Sequence, residues 1–166
     1  MRIIPKRRRS EKKTDYNARI SLLSGYKPRV VFRKTNNYII GQMITSKEAQ
    51  DKIVVGVISK DLLKFGWPEK LQGSLKSLPA AYLTGLLLGK KIVKEKQTEC
   101  IFDLGLLRSL PKTRIYAFLK GVIDAGVKIP ADKKMFPEDK RIKGEHLKND
   151  VPKIFDKVKS EVEKVK

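Results

Sequence analysis

The 166-residue sequence holds one cysteine, one histidine and one tryptophan. A lone thiol, Cys100, cannot form an internal disulfide and fits a reducing cytosol. Set in the apolar run Cys100-Ile101-Phe102, it reads as a core residue. The lone imidazole, His146, lies in a charged, irregular stretch with no nucleophile motif beside it, so a Ser-His-Asp relay is not expected. Cysteine and histidine are too few for a zinc set. No run of about 18 apolar residues is present, which excludes a membrane-spanning helix. The basic N-terminus has no apolar stretch after it, which argues against a secretory leader. The phosphate-cradling pattern G-x-x-x-x-G-K-[ST] is absent. So are internal repeats and long low-complexity linkers.

Acid is the scarcest commodity relative to its partner charge. Asp and Glu number 18 against 38 Lys and Arg, a net charge of +20 at pH 7. Such a charge repels itself in a compact chain, and a polyanion relieves it while releasing its own counterions. Nucleic acid is the first candidate partner and an anionic membrane surface the second. The apolar fraction of 40% is enough for one core.

Residues 1–13 carry Arg2, Lys6, Arg7, Arg8, Arg9, Lys12 and Lys13 against Glu11 alone, with Ile3 and Ile4 as branched apolar residues. This segment cannot bury enough surface to order by itself and reads as an arm that orders on a polyanion. Residues 14–147 read as one α/β domain. Thr14-Asp15 offers a cap to a short helix with Tyr16, Ile20 and Leu23 at helical spacing, stopped by Gly25. Arg29 to Arg33, Tyr38 to Ile44 and Ile53 to Ile58 read as three strands, with a turn at Asn36-Asn37, and their short connections imply an antiparallel meander. Trp67, between Gly66 and Pro68, reads as packed over a core edge.

Pro79 opens a long helix striped by Tyr82, Leu83, Leu86, Leu87 and Val93. Gly85 and Gly89 within it suggest close helix packing. Glu99 to Leu104 is a fourth strand, Lys112 to Ala125 a helix ended by Gly126, and Val127 to Ile129 a brief fifth strand. Pro130 to His146 reads as irregular. Residues 148–166 form a C-terminal segment in which Ile154, Phe155, Val158, Val162 and Val165 line one side of an amphipathic helix. A meander followed by strand-helix-strand units gives a mixed sheet flanked by helices.

Two chemistries compete for this layout. A metal-dependent ribonuclease needs clustered carboxylates. The first strand supplies Arg29, Arg33 and Lys34 but no acid, and Asp15, Asp51 and Asp61 fall on other elements at no recognisable spacing. Asp103 reads as a structural, hydrogen-bonded acid. RNA binding has broader support. Arg7, Arg8, Arg9, Lys12, Lys13 and Arg19 cluster, and Lys27, Arg29, Arg33 and Lys34 extend the cluster onto the first strand. Positions 29 and 33 share a strand face. Guanidinium forks suit phosphate oxygens, and Tyr16, Phe32 and Tyr38 are interleaved among them, with Phe32 the most core-like. Unstacked bases stack on such rings. A general nucleic-acid packaging protein is a third class, separable by comparing duplex DNA with structured RNA.

Several long stretches then carry a resemblance: TDYNARISLLSGYKPRVVFRKTNNYIIGQ, KFGWPEKL, LPAAYLTGLLLGKK, CIFDLGL and RIYAFLKGVIDAGVKIPADKKMFPEDKRIKGEHL. They run in order from Thr14 to Leu147 and resemble large-subunit ribosomal protein eighteen in its archaeal and eukaryotic form. The resemblance implies a ribonuclease-H-like mixed α/β fold, no catalysis and no cofactor. It implies binding of 5S rRNA and its attachment to large-subunit rRNA and neighbouring proteins in the central protuberance of a cytoplasmic ribosome. It places RNA contacts on Arg7, Arg8, Arg9, Lys12, Lys13, Tyr16 and Arg19, then on Lys27, Arg29, Arg33, Asn36, Asn37 and Gln42. The family often has a basic residue and a histidine in the turn after the first strand, where this chain has Asn37 and Tyr38.

Overall fold

The computed structural model describes residues 4, 6–48, 50–147 and 151–164. Arg2 and Ile3 of the arm, and Val165, expected on the last helix, lie outside the described residues. Helix α1 (Arg7–Ser10) is a single turn that buries no residue. Helix α2 (Tyr16–Ser24) begins on Asp15, whose carboxylate accepts from the backbone N–H groups of Asn17 and Ala18. That satisfies donors a helix start would otherwise leave without partners. Gly25 ends α2 as expected, though it keeps right-handed angles and the left-handed residue is Tyr26 at φ 48°. One expectation for α2 is corrected. Ile20 is 64% exposed and no α2 residue is buried, so its apolar spacing does not mark a core stripe.

The sheet comprises β1 (Arg29–Lys34), β2 (Ile39–Lys47), β3 (Gln50–Ile58) and β4 (Ile101–Asp103), in the order β3-β2-β1-β4. β1, β2 and β3 form the antiparallel meander, and β4 lies parallel to β1. Thr35 closes the β1–β2 turn: its N–H donates to the Tyr38 carbonyl, and the Tyr38 N–H donates to its hydroxyl, both at 2.9 Å. Alternation along the strands sends Val30, Phe32, Ile39, Met43, Val55 and Val57 into the core. The opposite face carries Arg29, Val31 and Arg33, then the cross-strand pairs Ile40/Ile58, Gln42/Gly56 and Ile44/Ile53. A register shift at Met43/Ile44 bends the outer pair of strands. β3 is an edge strand, with Ile53, Val54 and Ile58 exposed.

Helix α3 (Leu78–Lys94) runs through the core, buried from Pro79 to Gly89 without a break. Helix α4 (Arg114–Asp124) packs directly on it. Gly85 faces the Phe118 main chain, and Gly121 faces that of Tyr82, so two backbones approach where side chains would hold them apart. Phe118 reaches the sheet edge-on to Phe32, with ring centroids 5.2 Å apart. Trp67 is 2% exposed, and its indole N–H donates to the Leu71 carbonyl at 3.3 Å.

The fifth strand is not formed. Glu99 and Lys128 make an isolated parallel bridge. Pro130 follows two residues later and has no N–H to continue a ladder. β4 is also shorter than the expected Glu99 to Leu104, and at its C-terminal end Gly105 turns the chain at φ 60° two residues past Asp103. The stretch read as irregular contains α5 (Asp139–Lys143), anchored by buried Ile142. Finally α6 (Val151–Glu163) lays buried Phe155, Val158 and Val162 into the core, with Phe155 against the Tyr82 ring at 5.6 Å. Cys100 is buried, and burial pushes its thiol up to about 11.

Candidate nucleic-acid interface

The open end of the sheet face meets the N-terminal segment. Between them lies a cleft of about 480 Å³, bounded by the arm, α2, β1 and the loop from Leu104 to Leu107. Arg8 and Lys13 enter it from the arm, Arg19 from α2 and Arg33 from β1. Three elements thus bring four cations to one concavity. Its two acids are already engaged: Asp15 caps α2, and Asp103 accepts from Arg29 and from the Gly105 N–H at 2.8 Å. Concave positive surfaces of this kind concentrate an approaching polyanion.

Arg29 behaves differently from the reading that made it a phosphate ligand. It is only 3% exposed. One terminal nitrogen donates to Asp103 at 2.9 Å, and the other donates to Asp51 at 2.6 Å and to the Ser46 hydroxyl at 2.9 Å. Asp51 in turn reaches Arg19 at 3.0 Å. Arg29 therefore ties β1, β2, β3 and β4 together beneath the cleft, and its charge is spent inside the protein. Its Nε is a buried nitrogen without a hydrogen-bond partner among the described residues. The Asp51–Arg19 pair couples α2 to that buried junction.

Arg33 remains on the surface. It donates to the Phe32 carbonyl at 3.0 Å, and its guanidinium lies under Gly105. A Cβ added at Gly105 would sit 2.9 Å from Arg33 Nη1, so glycine there serves both the left-handed turn and the arginine. Arg8 donates from Nε to the Thr14 hydroxyl at 2.9 Å, and Lys13 pairs with Glu11 at 2.8 Å. Tyr16 is half-buried under the Lys6 ammonium, 4.7 Å from its ring centroid.

The other nominated residues are dispersed. Arg7, Arg9 and Lys12 are exposed on the arm without lining the cleft. Lys27 pairs with Glu99 at 3.2 Å. Asn36 and Asn37 are exposed in the β1–β2 turn, where Lys76 donates to the Asn36 carbonyl at 2.9 Å. Tyr38 is packed against the core, so its ring is committed to packing rather than offered to a base. Phe32 is core, as its pattern suggested. Gln42 lies mid-sheet beside Gly56. Lys34 points to a separate cleft with Arg108, Arg114 and Arg141, three arginines the sequence reading passed over. Their scatter between residues 108 and 141 left no local cluster to notice.

Catalytic alternatives find little to work with. Among the described residues no three His, Cys, Asp or Glu side chains are placed to hold a metal ion. Asp103 is engaged by Arg29, and His146 is exposed.

Acid should expose the junction. Burial alone would raise the Asp51 carboxyl, but the Ser46 hydroxyl, Arg29 and Arg19 together outweigh it and hold the group below its usual 3.8. A depressed carboxyl stabilises the fold fully above that value, and the contribution fades as pH falls through the lower folded value. The stability gap between the parent and Asp51→Asn should therefore be open at pH 7 and should narrow below pH 3.8. Urea midpoints at the two pH values check this, and a gap independent of pH contradicts it.

Relatives of this chain are found among ribosomal proteins. The sequence profile of the ribosomal large-subunit proteins 60S L5 and 50S L18 matches residues 3–99. The large ribosomal subunit protein uL18 of Korarchaeum cryptofilum is 47% identical over 148 residues, 89% of this chain and 74% of that protein. The uL18 of Methanospirillum hungatei is 45% identical over 88% of this chain and 81% of its own. That of Methanoculleus marisnigri is 41% identical over 98% and 90%. With a profile and these relatives in accord, the chain belongs to the L5/L18 family of ribosomal large-subunit proteins.

Proposed function

We propose that this chain is a structural, non-catalytic constituent of the large ribosomal subunit that seats 5S rRNA in the cleft between its arm, α2 and β1, and helps attach it to large-subunit rRNA in the central protuberance. The observation that carries the reading is the convergence of Arg8, Lys13, Arg19 and Arg33 on one concavity in a chain of net charge +20. Membership of a ribosomal family supplies the class of partner. The rigid sheet positions Arg33, and the arm adds its charges along the RNA backbone. Arg7, Arg9 and Lys12 extend the contact beyond the cleft as solvent-facing cations. Binding is driven mainly by counterion release, while looped bases and 2′-hydroxyls supply preference for RNA over DNA.

The test replaces three cleft cations together, Arg8→Gln, Lys13→Gln and Arg33→Gln. Loss of three phosphate contacts should make the log–log salt slope for 5S rRNA less negative by about 2 to 3. At fixed moderate salt this appears as a loss of roughly 10- to 100-fold in affinity, with an unchanged melting temperature. Normal affinity in this variant would sink the assignment of the cleft. Equal binding of duplex DNA and 5S rRNA by the parent would sink the specificity.

A further inference from the structure

The loop that walls the first cleft has a second one on its other side. About 450 Å³ of space lies among the end of β1, the start of α3, the start of α4 and α5. Lys34, Arg108, Arg114 and Arg141 line it, over a floor that includes Leu78 and Leu110. No acid lines it. Among the described residues none of the four cations makes a side-chain hydrogen bond or ion pair. The nearby acid Glu138 accepts instead from Lys112 at 3.0 Å, a bond that holds its carboxyl low with only lesser pull from Arg141. Asp139, its neighbour, is held by Lys120. Four like charges left together are a liability in the isolated protein.

The local backbone adds to that liability. α4 starts here, and Thr113 gives it no side-chain cap; its hydroxyl donates instead to the Leu110 carbonyl at 2.9 Å. The first turn carries Arg114 and no acid. A cation at the positive end of a helix is unfavourable unless an anion is seated there. The floor is also open, with Leu110 55% exposed. An anion with an apolar face fits both features.

We infer that this cleft seats a second stretch of RNA, single-stranded, with its phosphates on Arg108, Arg114 and Arg141 and a base or sugar face over Leu78 and Leu110. The inference rests on the RNA-binding reading above and extends it to a face that the arm does not line. Three of the four cations are arginines, whose planar forks grip phosphate or carboxylate oxygens in pairs. Their faces also stack on bases, and it is this second capacity, beside the exposed apolar floor, that favours RNA over an acidic peptide.

The experiment uses the full chain with a ten-residue oligouridine and, separately, 5S rRNA. Binding is read by fluorescence anisotropy and by backbone amide shifts. Oligouridine should shift the amides of Leu110, Thr113 and Ile115. The variant Arg108→Gln, Arg114→Gln, Arg141→Gln should lose at least 10-fold in oligouridine affinity, with a salt slope less negative by about 2. Leu110→Glu, which blocks the floor at an exposed position, should do the same without touching an arginine. The Arg8→Gln, Lys13→Gln, Arg33→Gln variant should retain those shifts while losing 5S rRNA, so the two readings fail separately. Oligouridine shifts confined to the arm and α2 would overturn the inference. So would undiminished oligouridine binding by the triple arginine variant. A leucine-and-glutamate peptide that displaces the oligouridine and binds more tightly would overturn it in favour of a protein partner.

Discussion

Arg29→Ala should cost about 3–5 kcal/mol of unfolding free energy, the range for removing one partner from a buried ion pair. The side chain is 4% exposed and Asp103 opposite it is 9% exposed, so the deletion strands a carboxylate where water cannot reach it well. Asp51 and Ser46 lose a donor at the same time. The loss exceeds what a surface phosphate ligand would show, since exposed pairs contribute about 0–1 kcal/mol. Urea unfolding at pH 7 measures it. A variant with near-parental stability and reduced RNA affinity would instead return Arg29 to the binding surface. Arg29→Met combined with Asp103→Asn should recover part of the deficit, because no unpaired charge is left behind.

Alanine at the α3–α4 crossing should be nearly as damaging. In an ordinary helix interior Gly→Ala gains about 1 kcal/mol. Here an added Cβ at Gly85 would lie 2.1 Å from the Phe118 carbonyl oxygen, and one at Gly121 would lie 2.2 Å from that of Tyr82. Both obstacles are backbone, which cannot rotate away. Overpacking costs about 1–3 kcal/mol and occasionally more, and a rigid obstacle puts these sites at the top of that range. Each single variant should lose about 2 kcal/mol net of the propensity gain, and the pair should lose less than the sum, because both strain one crossing. Thermal melts of the two singles and the double decide it. A rise in melting temperature at either site would mean that the helices can separate freely.

The strands were legible because β-branched and aromatic residues alternate or run together between clear turn signals such as Asn36-Asn37. The mixed sheet with its meander and parallel β4 follows from that order. Gly85 and Gly89 announced close packing within an otherwise apolar helix. Asp103 was correctly read as a structural acid, as its bonds to Arg29 and Gly105 show. What the sequence hid is long-range pairing. Arg29 finds Ser46 and Asp51 through the β2–β3 hairpin and Asp103 through a parallel crossover, and no local pattern marks an arginine for burial. Ile20 misled because a short helix can carry an apolar residue outward at little cost. α5 was missed because its five residues hold only one buried anchor, Ile142. At the proposed binding surfaces the arm and Arg33 were visible as a run of charge, whereas Arg108, Arg114 and Arg141 come together only once α4 and α5 are in place.

The outer border of β3 has its own implication for the life of the free molecule. Its unpaired main-chain groups and outward Ile53, Val54 and Ile58 form a template on which a second chain could zip, the usual first step toward aggregates. Lys47 and Lys52, exposed near the β2–β3 hairpin, blunt that template, and like charge keeps copies apart until salt screens it. The positive surplus of the chain therefore also guards the unassembled protein against itself.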